Sequence, residues 1–180
     1  MAAYHRQQFD FPILGITGSN GKTTIKEWLY QLINDRQVVK SPKSYNSQTG
    51  VPLSVWQIKE GDQLGIFEAG ISRPHEMDAL QMIIRPDIGL FTTLGDAHNE
   101  GFEDQATKLA EKLILFKDAK TIIFNVDNIE VRNAIKHKFG DRNLLSWGKS
   151  SDATLFQILD VVITSHDSRI DILFQEKLNT

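Results

Sequence analysis

"GITGSNGKTT", Gly15 to Thr24, follows the apolar run "FPIL" and decides the fold. A short apolar strand, a glycine-rich turn and the start of a helix present backbone N–H groups and a helix N-terminus to an anion. The common phosphate-loop pattern, G-x-x-x-x-G-K-[ST], places a glycine five positions before its Gly-Lys. Here that position is Ile16, and the nearby glycines are Gly15 and Gly18. The stretch therefore departs from that pattern, yet as a loop between strand and helix it lets Lys22 reach outer phosphates and Thr23 place a hydroxyl on Mg²⁺. The bland alternative is a turn that happens to carry Gly-Lys-Thr. Thr24 has the further option of only completing the helix's first turn.

Outward from this loop, the chain alternates strand with helix. Strands are predicted at Ile13 to Thr17, Gln37 to Ser41, Leu64 to Gly70, Ile88 to Leu94 and Thr121 to Asn125. They are short apolar runs with little alternation, as in strands covered on both faces. Helical spacing of Ile25, Trp28, Leu29, Leu32 and Ile33 predicts an amphipathic helix after the loop. A second helix is predicted over Ala106 to Asp118, with Leu109, Leu113 and Phe116 as its core stripe. The pattern is α/β: a P-loop domain with a mainly parallel sheet flanked by helices. The tail, "TLFQILDVVITSHDSRIDILFQ", alternates around a turn near His166 to Ser168 and predicts a C-terminal antiparallel hairpin. No helix follows it, which suggests a chain cut within a longer protein.

Bulk properties exclude some functions. The 180 residues suffice for one domain with a substantial core. A net charge of -3 gives no electrostatic footprint for nucleic acid or an anionic membrane. Cysteine is absent, which removes disulfides and thiolate metal sites. No membrane-length apolar segment or secretion signal is present, so the default expectation is a cytoplasmic protein without membrane insertion.

Further chemistry clusters after the strands, where open α/β sheets place their ligand crevices. Glu68 ends an apolar strand, a costly place for a carboxylate unless it meets a metal, a lysine or solvent. Arg73, His75 and Glu76 read as loop polarity. His98, beside Asp96 and Glu100, fits either a divalent site or a surface position. Lys112 would ordinarily be a solvated helix lysine.

"TGSNGKTT", "YNSQTGVPLSV", "FEAGISRPHEM", "GDAHNEGF" followed by "EKLILF", and "IFNVDN" occur here in the order and spacing of the Mur ligase central domain. The resemblance spans nearly the whole chain, and five motifs in order are far more specific than one loop. The lead-in "AAYHRQQFDFPILGITGSNGKTTIKEWLYQL" resembles members of that family fused to an alanine racemase. On this resemblance, residues 1–180 are a central ATPase domain without the family's N-terminal UDP-gripping and C-terminal closing domains. The implied reaction is ADP-forming amide ligation in peptidoglycan synthesis. D-Ala-D-Ala is joined to UDP-N-acetylmuramoyl-tripeptide through an acyl phosphate.

The resemblance also implies roles. Gly18, Ser19, Asn20, Gly21, Lys22, Thr23 and Thr24 hold the ATP phosphates, and Thr23 faces the first of two Mg²⁺ ions. Glu68 and His98 match the family's second-metal residues. Lys112 matches a lysine that carries a carbamate in several relatives. Asn46 and Ser47 match a segment on the acyl-substrate side, while Asn125 and Asp127 match a turn near the nucleotide. A carbamate needs an uncharged amine. Lys108, one turn earlier, disfavours the ammonium by only a few tenths of a kcal/mol, roughly, so bound Mg²⁺ is expected to supply most of the bias. Alone, the domain is expected to bind nucleotide weakly and not to ligate. Two other readings remain: a folylpolyglutamate synthase-type ligase, which shares the loop and metal residues, and a non-catalytic nucleotide-binding module.

Overall fold

The computed structural model describes residues 1–95 and 101–174. In chain order these residues form α1 (Ala2–Arg6), β1 (Ile13–Thr17), α2 (Lys22–Leu32), β2 (Val38–Lys40), α3 (Gly50–Val55), β3 (Leu64–Glu68) and α4 (Glu76–Ile84). There follow β4 (Ile88–Phe91), α5 (Gln105–Lys112) with a 3₁₀ turn over Leu113–Phe116, β5 (Thr121–Asn125), α6 (Ile129–Phe139), β6 (Asn143–Gly148), β7 (Phe156–Ile163) and β8 (Ser168–Phe174). One sheet runs in the order β2-β3-β1-β4-β5-β6-β7-β8. All its neighbouring pairs are parallel except the β7–β8 hairpin. The predicted α/β sheet and terminal hairpin are therefore both present.

β1 sits between β3 and β4, so the chain winds to one side of it and then crosses to the other. Such a reversal opens a crevice at the strands' C-terminal ends. The loop after β1, Glu68 at the end of β3 and the segment after β4 all meet there. β1 and β3 are buried along their full length, which explains their continuous apolar runs.

The predicted strands at 13–17 and 121–125 form as read, the one at 37–41 loses a residue at each end, and the other two stop early. β4 ends at Phe91 because the next residues bond to the phosphate-type loop instead of extending the strand. Ser19 N donates to Thr93 O (2.7 Å), and Thr92 Oγ1 donates to Asn20 O (2.6 Å). β3 ends at Glu68, after which Gly70 N donates to Asn46 O (2.8 Å). Glu76 is not loop polarity. It opens α4, and its carboxylate accepts the N–H groups of Ser72 (2.7 Å) and Arg73 (3.0 Å). Arg73 and His75 are exposed, as a loop reading requires.

The core stripe read for the second helix is present, with Leu109, Leu113 and Phe116 buried. That helix is shorter than predicted, giving way to the 3₁₀ turn after Lys112. α2 differs from its reading. Ile25, Leu29 and Ile33 pack on Ile16 and Ile66 of the sheet, whereas Trp28 and Leu32 are 62% and 76% exposed. The apolar contact with the sheet is a single i, i+4 row, so the apolar residues at three-residue offsets fall on the rim. No helix among the described residues is long and apolar enough to cross a membrane.

This packing orders two aromatic truncations. Phe116→Ala empties a fully buried position and is expected to cost about 3–5 kcal/mol. Trp28→Ala is expected to cost within about 0.5 kcal/mol. Urea unfolding of both variants checks the order, and comparable losses would contradict the helix orientation.

Candidate functional site

The loop's shape follows from close approach. Gly18 has φ +140°, and a Cβ there would lie 2.0 Å from Thr92 Oγ1 and 3.0 Å from Thr93 N. Only glycine lets β1's continuation lie against the end of β4 this tightly. Ser19 and Gly95 then lock together, Ser19 Oγ donating to Gly95 O (3.0 Å) and Gly95 N donating back to Ser19 Oγ (3.0 Å). Gly21, at φ +81°, turns the chain into α2.

α2 starts without a side-chain cap, unlike α5 and α6. Asp104 caps α5 by accepting Thr107 N (2.6 Å), and Asn128 caps α6 by accepting Val131 N (3.0 Å). The N-cap of α2 is Gly21, which has no side chain to bond the first-turn N–H groups. That end of the helix suits an anion.

Cations gather around the same point. Lys22 Nζ donates to Gly18 O (2.8 Å) and, more weakly, to Ser19 O (3.3 Å). Lys112 Nζ, from α5, makes a long contact to the same Gly18 carbonyl (3.4 Å). Lys108, one turn before it and fully buried, donates to Gly95 O. Lys112 is not the solvated lysine its helical position suggests, being only 1% exposed. Burial first, then the charges of Lys22 and Lys108, lower its pKa from the usual lysine value to about 8. Packing and neighbouring charge thus supply a bias that the sequence had assigned mainly to metal. Burial also lowers the pKa of Lys22, partly offset by Glu68.

Glu68 is completely buried at the end of β3 and meets both a hydroxyl and a lysine. Its Oε2 accepts Thr23 Oγ1 (3.0 Å), and its Oε1 lies 2.9 Å from Lys26 Nζ. That approach is off the direction of a hydrogen bond, so Oε1 accepts none from the protein. Lys26 escaped the sequence reading. It stands four residues after Lys22 on α2, where a long side chain normally reaches solvent, yet it is fully buried.

Asn46 and Ser47 line a cleft of about 410 Å³ together with Lys22, Gly70, Ser72, Glu76 and Lys112. Its far wall is tied to α5 through His75 N, which donates to Glu111 Oε2 (2.9 Å). The structure thus brings Lys22, Lys112, Asn46 and Ser47 to one cleft, with Thr23 and Glu68 joined beside Lys22. Asn20 and Thr24 are exposed on the loop and the first turn of α2. Asn125 stands at the end of β5 and its side chain accepts Asp127 N (2.8 Å). Asp127 in turn accepts Lys149 N and Ser150 N (2.9 Å each), fastening this turn to the end of β6. His98 lies outside the described residues.

Among the described residues, no three His, Cys, Asp or Glu side chains form a metal cluster. The fit to a cation rests instead on oxygen chemistry: a buried carboxylate whose Oε2 meets the Thr23 hydroxyl. That donor set suits Mg²⁺, which commonly takes one or two protein ligands plus phosphate oxygens and water.

The sequence profile of the Mur ligase middle domain matches residues 16–179. A UDP-N-acetylmuramoyl-tripeptide--D-alanyl-D-alanine ligase from Borreliella burgdorferi is 33% identical over 130 residues, covering 71% of this chain and 28% of its own. The MurF ligase from Thermotoga maritima, solved in complex with ADP, is 28% identical with a TM-score of 0.83, covering 95% of this chain and 40% of its own. MurF from Acinetobacter baumannii, at 19% identity and a TM-score of 0.86, shares the fold. The chain spans less than half the length of each of these relatives.

The lowered pKa of Lys112 has a measurable sign. An unfolded lysine keeps its proton up to about pH 10.4, but the folded chain releases it near 8. Between those values the unfolded state binds more protons, so stability rises with pH. Lys112→Met is expected to remove that rise. Unfolding of both proteins between pH 7 and pH 10.5 reads it, and parallel curves would contradict the assignment.

Proposed function

The chain belongs to the Mur ligase family, whose middle domain it carries, and from that premise we propose that it is the ATP-handling core of an ADP-forming amide ligase. Residues 1–180 would be a central ATPase domain, acting in the cytoplasm on UDP-N-acetylmuramoyl-tripeptide and D-Ala-D-Ala. The observation that carries the reading is the convergence of Lys22 and Lys112 on the Gly18 carbonyl, beside the uncapped start of α2. Such a point suits a polyanion, and the relative solved in complex with ADP supports reading it as a nucleotide, here ATP.

In this reading the loop from Gly18 to Thr24 cradles the β- and γ-phosphates on its backbone N–H groups. Lys22 leaves the Gly18 carbonyl for the phosphate oxygens. Thr23 and Glu68, with His98, would hold Mg²⁺ at two sites, where the ions supply neutralisation of phosphate charge. Asn46 and Ser47 face the tripeptide's terminal carboxylate in the cleft, and Asn125 stands on the nucleotide side.

The tripeptide carboxylate oxygen attacks the γ-phosphorus, and the bond to the ADP oxygen breaks. The resulting acyl phosphate is then attacked at its carbonyl carbon by the amine of D-Ala-D-Ala. The tetrahedral intermediate expels phosphate, and the amine loses a proton, leaving the amide. The protein's part is positioning and charge stabilisation. With a pKa of about 8, Lys112 has an appreciable uncharged fraction at neutral pH, as addition to CO₂ requires. Carbamylated Lys112 would be an anion, changing the sign of one charge among three buried or half-buried cations.

In the full-length protein carrying this chain, Lys22→Ala is expected to lower acyl-phosphate formation about 10²-fold or more. It should leave unfolding free energy within about 1 kcal/mol. Hydroxylamine trapping of the acyl phosphate measures the first and urea unfolding the second. Activity within a few-fold of the parent, with the fold intact, would refute the phosphate-loop reading.

A further inference from the structure

Lys26 has no part in the steps above, yet it is among the largest fully buried side chains in the chain. An ammonium with no solvent exposure must find its partners inside the protein. Lys26 Nζ donates to Ser41 O (2.8 Å) and to Lys43 O, and it lies 2.9 Å from Glu68 Oε1 and 3.1 Å from Glu27 Oε1. Glu27 also pairs with Lys40. One side chain of α2 therefore reaches the end of β3 and the segment leaving β2.

Those two places carry different functions. Glu68 is the carboxylate on the Thr23 side, whereas residues 41–43 lead into the segment that brings Asn46 and Ser47 to the cleft. Ser41 strengthens the junction, since its Oγ accepts Glu68 N (3.1 Å) and its N donates to Ile66 O (3.0 Å). Lys43 has φ +47°, a left-handed turn where the chain bends away from the ammonium. The junction therefore sets the carboxylate and the cleft segment relative to each other.

We infer that Lys26 is a positioning residue: it holds Glu68 by Oε1 and the segment after β2 by two carbonyls, leaving Glu68 Oε2 directed at the Thr23 hydroxyl. A carboxylate tethered by one oxygen offers the other in a fixed direction, which costs less ordering when a cation arrives. The inference rests on the reading of Glu68 as a metal-side residue.

Calorimetric binding of ADP by the full-length protein, titrated against Mg²⁺, tests the coupling without requiring turnover. Glu68→Gln is expected to raise the Mg²⁺ concentration for half-saturation about tenfold or more, and Lys26→Met to do the same. The double variant should match Glu68→Gln within about twofold, because residues acting through one another are not additive. It should also melt above Lys26→Met, having no unpaired buried carboxylate. A Mg²⁺ dependence unchanged by Lys26→Met, or losses that multiply in the double variant, would overturn the inference. If Lys26→Met alone fails to fold, rescue by Glu68→Gln supports the coupling, and failure of both variants to fold overturns it. A Glu68→Gln protein with unchanged Mg²⁺ dependence overturns the metal-side reading itself, and this inference with it.

Discussion

The site depends on one carbonyl oxygen. Gly18 O receives Lys22 from the first turn of α2 and faces Lys112 from the last residue of α5. That oxygen can stand there because Gly18 lacks a Cβ and presses against Thr92 and Thr93. Two ammonium groups sharing one neutral acceptor are poorly compensated, and a third, Lys108, lies one turn away on α5. The only fully buried carboxylate among the described residues, Glu68, is already engaged by Lys26 and Thr23. Among the described residues that line the cleft, Lys22 and Lys112 outnumber Glu76, whose carboxylate already accepts two N–H groups, and a phosphate chain is a natural way to supply negative charge.

The buried lysines carry a thermodynamic consequence. Burying a charge is costly unless partners replace water, and two of the three fully buried lysines meet that demand differently. Lys26 collects carbonyls and carboxylates and makes a structural junction. Among the described residues Lys112 has one long contact and neighbours of its own sign, and its affinity for the proton falls accordingly. The same residue type in the same crevice becomes a strut in one setting and a readily deprotonated amine in the other. Partner geometry makes the difference.

Much of this was legible in the sequence. Apolar runs located the central strands, alternation located the hairpin, and the order of motifs around Lys22, Glu68 and Lys112 placed them at one edge of a parallel sheet. What escaped was mostly long-range. Nothing near Lys26 in the chain shows that Ser41, Lys43 and Glu68 will surround it, because those partners arrive 15 to 42 residues later. The early end of β4 was hidden for a similar reason, its polar groups being claimed by Ser19 and Asn20. Trp28 and Leu32 misled because helical spacing marks a possible apolar face but not how wide a strip the sheet covers.

The most direct test is a crystal structure of the full-length protein with Mg²⁺ and a non-hydrolysable ATP analogue. The account predicts the β- and γ-phosphates on the N–H groups of residues 18–24, with Lys22 Nζ moved from Gly18 O onto a phosphate oxygen and Lys112 still lining the cleft. Phosphates bound elsewhere, or a Lys22 that stays on the Gly18 carbonyl with nucleotide present, would contradict it.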